Sequence, residues 1–177
     1  MAEVRPPQPV TLFVGVVFGD RQLLEPLESE LTKTFGKIDA RSQVYDFEIT
    51  DYYEHEMGGD LKRIFYSFVE LIDPAEIADI KLAANEIERG FARDGRRKVN
   101  IDPGYMDFYK VVLASAKFLG QKIYVGKGVY ADPTLYYDRG WKPYDWGFPD
   151  FKSGRYDEFL TEVRRVYKSR IRDLDGG

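Results

Sequence analysis

The chain has no cysteine and a single histidine, His55, in 177 residues. Without cysteine there is no disulfide, no thiolate nucleophile and no Cys-built zinc site. One histidine excludes a His-rich metal centre within a single chain. No apolar run reaches the ~20 residues needed to cross a bilayer, and the opening AEVRPPQPV has no signal-peptide core. No membrane partner is expected, and cytoplasmic residence is the default. A phosphate-binding P-loop, G-x-x-x-x-G-K-[ST], occurs nowhere. The run GKGVYADPTLYY has two glycines around Lys127 without that spacing, and Asp132 before Pro133 reads as a turn residue. Net basic charge is lacking too. The formal charge of −4 argues against a broad nucleic-acid surface.

What is present is ordinary globular composition, 44% hydrophobic and 32% charged, with 13 Tyr and 12 Phe for an aromatic-rich core. The length favours one domain over 1–177, with the Pro-rich residues 1–9 as an extended lead-in. VTLFVGVVFG reads as a central strand covered on both faces. A helix follows Asp20, with a late start or kink at Pro26, and stops at Gly36. SQVYDFEI alternates as a half-buried strand, and LKRIFYSFVEL is a second strand antiparallel to it. Asp73, Pro74 and Glu76 open a helix whose stripe is Ile77, Ile80, Ala84, Ile87 and Phe91. A strand at 98–101 completes a β-α-β-β-α-β order, that of a ferredoxin-like unit. The fold class expected is α+β, with a mainly antiparallel sheet and an elaborated C-terminal part. That part holds a strand QKIYVG, a strand pair around 129–137, a loop over 138–154 and a final helix over 155–172.

The sharpest candidate site is the stretch KVNIDPGYMDFYKVVLASAK. It reads as a strand, an Asp-Pro-Gly turn and a helix running to Gly120. Asp102 is placed to cap that helix, or to act as a base or metal ligand. Gly104 allows close approach of a backbone or ligand. The helix start would hold an anion, and Lys110 and Lys117, seven apart on one face, would extend the site. TDYYEHEMG gathers Asp51, Glu54, His55 and Glu56. These acids, with Asp102 and Asp150, are candidate ligands for a divalent cation such as Mg²⁺, and the plainer reading is a solvated acidic loop. Phe13, Tyr66 and Phe68 sit where an RNA-recognition motif keeps its stacking aromatics. The residues after 119 need a surface to cover, so these rings are expected to be buried. The last helix carries Arg164, Arg165, Lys168, Arg170 and Arg172, a face read as solvated and partly matched by Glu158 and Glu162.

TDYYEHEMG, LIDPAEIADIKLAANEIE, VNIDPGYMDFYKVVLASAK, KIYVGKGVYADPTL and FPDF together resemble the bacterial and archaeal family called domain of unknown function 4416. The resemblance runs from about Val10 to about Tyr167. Some members carry the label "GTP-binding protein", but neither a P-loop nor an N-K-x-D motif is present here. The family pattern often has an acid where Pro133 stands, and here Asp132 lies one position earlier.

Three functions remain open. One is a binding or catalytic site for a small phosphate-bearing, nucleotide-like ligand at Asp102–Gly104. The second is an RNA-binding module through Phe13, Tyr66 and Phe68, with nucleic acid the weaker expectation. The third is a protein-interaction or self-assembly domain using the aromatic loop 141–151.

Overall fold

The structure is a computed structural model. It describes residues 2–48 and 54–176, without the side chains of Glu54, His55 and Asp175. The fold is α+β, and every strand pairing is antiparallel among the described residues.

β1 (Val10–Phe18) is buried along its whole length. A short 3-10 turn capped by the Asp20 carboxylate leads into α1 (Leu24–Phe35), with Pro26 in its first turn. There its missing N–H has no helical partner to lose. Of the strand expected at 42–49, only β3 (Tyr45–Asp46) forms, Ile49 lies outside the described residues, and an unexpected strand β2 (Ile38–Arg41) precedes it, both on β4 (Lys62–Ile72). Ser42 joins them by hydrogen bonding the Phe65 backbone in both directions. α2 (Glu54–Met57) lies between β3 and β4. Asp73 and Glu76 form a complete capping box ahead of α3 (Ile77–Phe91).

After α3 the expectation of a helix at 105–119 fails. Val99–Met106 is one strand, β5, and Lys110–Ser115 is its antiparallel partner, β6. β7 (Ile123–Gly126), β8 (Val129–Tyr137) and β9 (Trp141–Pro143) extend the sheet, so 129–137 is one strand rather than a pair. The loop expected at 138–154 contains β9 and α4 (Pro149–Lys152). The last helix, α5, covers Asp157–Asp175. The strand order is β2-β4-β1-β5-β6-β8-β7, with β3 on β4 and β9 on β8.

Alternation along the strands builds two large cores, and Val17, Phe47, Met57 and Leu61 form a third, smaller cluster. Leu12, Val14, Val16 and Phe18 of β1 pack with Tyr66, Phe68 and the buried stripes of α1 and α3. Phe13 and Phe65 face the other way, into Phe151 of α4, Tyr156 at the start of α5, and Phe159 and Leu160 within it. Helices therefore cover both faces of the sheet. Phe13, Tyr66 and Phe68 are each 0% exposed, and they do not share a face. Rings so covered cannot stack bases.

Candidate functional site: a cleft where the sheet parts

The β5–β6 ladder pairs Met106 with Val111, Tyr105 with Val112 and Gly104 with Leu113, and then stops. Pro103 is the next residue, and it has no N–H to donate. Antiparallel hydrogen bonding alternates along a strand. Asp107 bonds Lys110, so the alternation makes Tyr105 with Val112 the next hydrogen-bonded pair, and Pro103 with Ala114 would be the one after. The ladder thus fails at the one position that cannot complete it. Beyond it β5 and β6 separate, while β5 stays paired with β1 through Val99.

Two side chains of α3 occupy the place of the missing strand. Lys81 Nζ donates to the Ile101 carbonyl at 2.9 Å, and the Ile101 N–H donates to Glu88 Oε1 at 2.6 Å. Buried backbone groups need partners, so a helix lysine and a helix glutamate satisfy what β6 leaves open. Lys81 and Glu88 lie seven residues apart on the buried stripe of α3.

The separation opens a cavity of about 880 Å³ that passes between the layers. α3 lines one side with Lys81, Asn85 and Glu88, and α4 lines the other with Asp150 and Phe151. Gly15, opposite Asp102 on β1, contributes no side chain to fill it. A Cβ there would come within 2.8 Å of the Phe65 ring.

The floor is an ion network centred on Arg63. One terminal guanidinium nitrogen contacts Asp150 and the other reaches Asp102 at 3.2 Å. The Tyr156 hydroxyl donates to the same Asp150 oxygen at 3.0 Å. Asn100 donates to Asp102 at 2.9 Å, and Lys81 stands 3.8 Å from it. Arg97 bonds Asn100 and clamps Glu56 at 2.7 Å. Arg63 is 6% exposed, and its guanidinium lies 4.4 Å from the Phe47 ring centroid. Burial opposes its charge, and Asp150 and Asp102 together outweigh that, holding its pKa above the ordinary value. Its Nε is buried with no hydrogen-bond partner among the described residues.

A second buried pair stands across the cleft. Lys122 lies 3.3 Å from Asp132, with both side chains 5% exposed, and donates to Ser115 Oγ at 2.8 Å. Asp132 is thus a strand residue of β8 in a buried ion pair, not the turn residue expected. Burial pushes the carboxyl groups of Glu88 and Asp132 above the usual range. Toward solvent the lining becomes aromatic, with Phe118, Trp146 and Phe148.

The expected site residues are distributed as follows. Asp102 sits in the middle of β5 and is no helix cap, so the anion site expected at a helix start after Asp102 has no helix to stand on. Gly104 lies outside the cavity lining. It does permit close approach, since a Cβ would meet the Val112 carbonyl at 2.6 Å. Lys110 opens β6, paired with Asp107, and shares no helix with Lys117. Lys117 lines the cavity, as do Asp102 and Asp150. Glu56 is outside the lining and joins the network through Arg97. Asp51 and the side chains of Glu54 and His55 lie outside the described residues. Among the described residues no three His, Cys, Asp or Glu side chains gather as a metal-binding set.

Arg63, Lys81, Glu88 and Lys122 were absent from the expected site. The signal for Arg63 is a charge on the apolar parity of β4, with Phe65 and Ser67. For Lys81 and Glu88 it is two charges on the stripe Ile77, Lys81, Ala84, Glu88. The basic face of α5 is partly used: Arg164 donates to the Phe108 carbonyl, and Arg170 donates to the Phe68 carbonyl and pairs with the Asp39 carboxylate at 3.0 Å. No helix among the described residues is long and apolar enough to cross a membrane.

Neither the curated proteins nor the solved structures compared with the chain provide a match. A family model does, spanning residues 8–167 and thus both walls of the cleft, and the chain belongs to that family, described as Domain of unknown function (DUF4416).

Proposed function

We propose that the cleft binds a small anionic ligand, with a phosphate-bearing, nucleotide-like molecule as the best-supported class. The observation that carries this is Arg63. A buried guanidinium with an unpartnered Nε lines a cavity large enough for a nucleotide. An orphaned buried donor is costly, and a ligand acceptor would satisfy it. Around it, Arg63, Lys81, Arg89, Arg97, Lys117 and Lys122 bring cationic groups to the lining, with Glu88, Asp102, Asp132 and Asp150 beside them and with Arg97 and Arg89 paired to Glu56 and Glu86. Asp102 and Asp150 serve in this reading to orient Arg63. A divalent cation would enter with the ligand phosphates rather than on a preformed carboxylate set. The order β2-β4-β1-β5 supports reading the N-terminal half as a ferredoxin-like unit that carries the site on its last strand.

The test is a melting-temperature screen with ATP, GTP, AMP, tripolyphosphate and citrate, each with and without Mg²⁺. A ligand that binds only the native state raises the melting point. The proposal expects at least one phosphate compound to do so, with the rise reduced in Lys117→Ala. No rise with any of them at millimolar concentration overturns it.

A second reading, self-assembly, is favoured by β7. This edge strand leaves Ile123, Tyr124 and Val125 exposed at 61%, 61% and 37%. Exposed apolar edges template pairing with another chain. Sedimentation velocity of the wild type against Tyr124→Lys decides it.

A further inference from the structure

The aromatic side of the cleft has an order of its own. Trp146 is fixed twice. Its indole Nε1–H donates to the Pro133 carbonyl at 2.9 Å, and one ring face stacks on Tyr144 at 4.8 Å with an interplanar angle of 8°. Tyr144 is in turn backed by Tyr136 at 5.2 Å. Trp146 remains 47% exposed and lines the cavity, and Tyr144 is its only ring partner among the described residues. A locked indole with one face supported and its remaining surface at a cavity is a platform rather than core packing.

The platform lies close to the charged floor. Phe148 also lines the cavity, 45% exposed, with the Lys122 ammonium 5.8 Å from its ring centroid. Two residues further on, Asp150 holds Arg63. Two residues of chain span at most about 7 Å, so the aromatic wall and the guanidinium belong to one ligand-sized space.

We infer that Trp146, with Phe148 beside it, is a stacking subsite for a planar ring of the ligand, an aromatic heterocycle such as a nucleobase, whose anionic end faces Arg63. The anionic end rests on the function proposed above; the ring subsite stands on the fixed geometry of Trp146. A ring inserted there covers apolar surface that the fold leaves open, and base–aromatic stacking tolerates any π-face. The subsite therefore selects for planarity more than for one base.

The chain contains two tryptophans, Trp141 and Trp146. Trp141 is buried and its Nε1 has no hydrogen-bond partner among the described residues, so Trp141→Phe loses none of these bonds and leaves Trp146 as the sole indole. In that variant, ATP, GTP, adenosine and guanosine are titrated against indole fluorescence, with tripolyphosphate as the ringless probe. Calorimetry on the otherwise native chain compares wild type, Trp146→Ala and Trp146→Phe. The expected result is quenching by compounds with a ring and none by tripolyphosphate. Trp146→Ala should weaken nucleotide binding about tenfold or more, leave tripolyphosphate unchanged, and be largely rescued by Trp146→Phe. If nucleosides quench while tripolyphosphate does not bind, the ring subsite stands and the anion reading falls. If no ring compound quenches, or Trp146→Ala weakens nucleotide and tripolyphosphate equally, the subsite is overturned, whatever the anion does.

Discussion

Lys81 and Ile101 meet where a neighbouring strand would lie: the lysine ammonium donates to the isoleucine carbonyl at 2.9 Å, with Lys81 only 7% exposed. Lys81→Met keeps the stem and removes the donor. A buried carbonyl left unpaired costs about 1–3 kcal/mol. Urea unfolding should show a loss of that size, and a loss below about 0.5 kcal/mol would mean that water replaces the ammonium without penalty.

Glu88 gives a pH-dependent prediction. Burial raises its folded pKa above the ordinary 4.5. The native state then binds the proton more tightly than the unfolded chain does. The stability this contributes is present below about pH 4.5 and is lost as pH rises through the folded value. Glu88→Gln keeps an acceptor for the Ile101 N–H and removes the titration. The melting temperature of Glu88→Gln relative to wild type should therefore be higher at pH 7.5 than at pH 4. A difference that stays constant between those values contradicts the assignment.

Asp150 and Asp102 share Arg63 but not its burial. The side chain of Asp150 is 3% exposed and that of Asp102 29%. Breaking a buried pair from one side typically costs about 3–5 kcal/mol, whereas solvent screens an exposed pair to about 0–1 kcal/mol. Asp150→Ala should approach the first range, and Asp102→Asn should lie near 1 kcal/mol. Equal losses in chemical denaturation would show that Arg63 does not distinguish them.

Gly104 and Gly15 are both close-approach positions with different neighbours. A Cβ at Gly104 would meet the Val112 carbonyl at 2.6 Å and the Phe13 ring at 2.7 Å. A backbone carbonyl in a ladder cannot step aside, so Gly104→Ala should cost about 1–3 kcal/mol. At Gly15 the near atom belongs to the Phe65 side chain, at 2.8 Å. Gly15→Ala should cost less and should narrow the cavity, weakening the melting response to any ligand found by screening. The reverse ranking would place the constraint in the side chains.

Legibility in the sequence followed how local each determinant is. The capping box of Asp73 and Glu76 and the apolar stripe of α3 are read directly, because both are set within a few residues. Asp102-Pro103-Gly104 misleads for the same reason. Locally it is a cap and a turn, yet β1 claims Asn100, Ile101 and Asp102 by pairing along its full length. Pro103 is tolerated there because its nitrogen faces the cleft, where no partner strand waits. VVLASAK fits helix and strand equally until the hairpin with β5 decides. Asp102, Asp150 and Lys117 do converge, but through pairings that no spacing encodes. Arg63 lies far in sequence from both of its carboxylates, and only the fold brings the three together.

The three residue pairs between β5 and β6 have a mechanical consequence. Among the described residues they are the only ladder joining the β2-β4-β1-β5 plate to the β6-β8-β7 plate. α3 rests on both plates, touching β5, β6, β7 and β8, and so spans the seam as a splint. On the other face the core under α4 and α5 also joins the two, packing Phe13 and Phe65 with Val111, Leu113 and Leu135. Few backbone rungs therefore hold the seam, side-chain packing from both faces supplies the rest, and the seam borders the cleft through Asp102, Leu113 and Ala114.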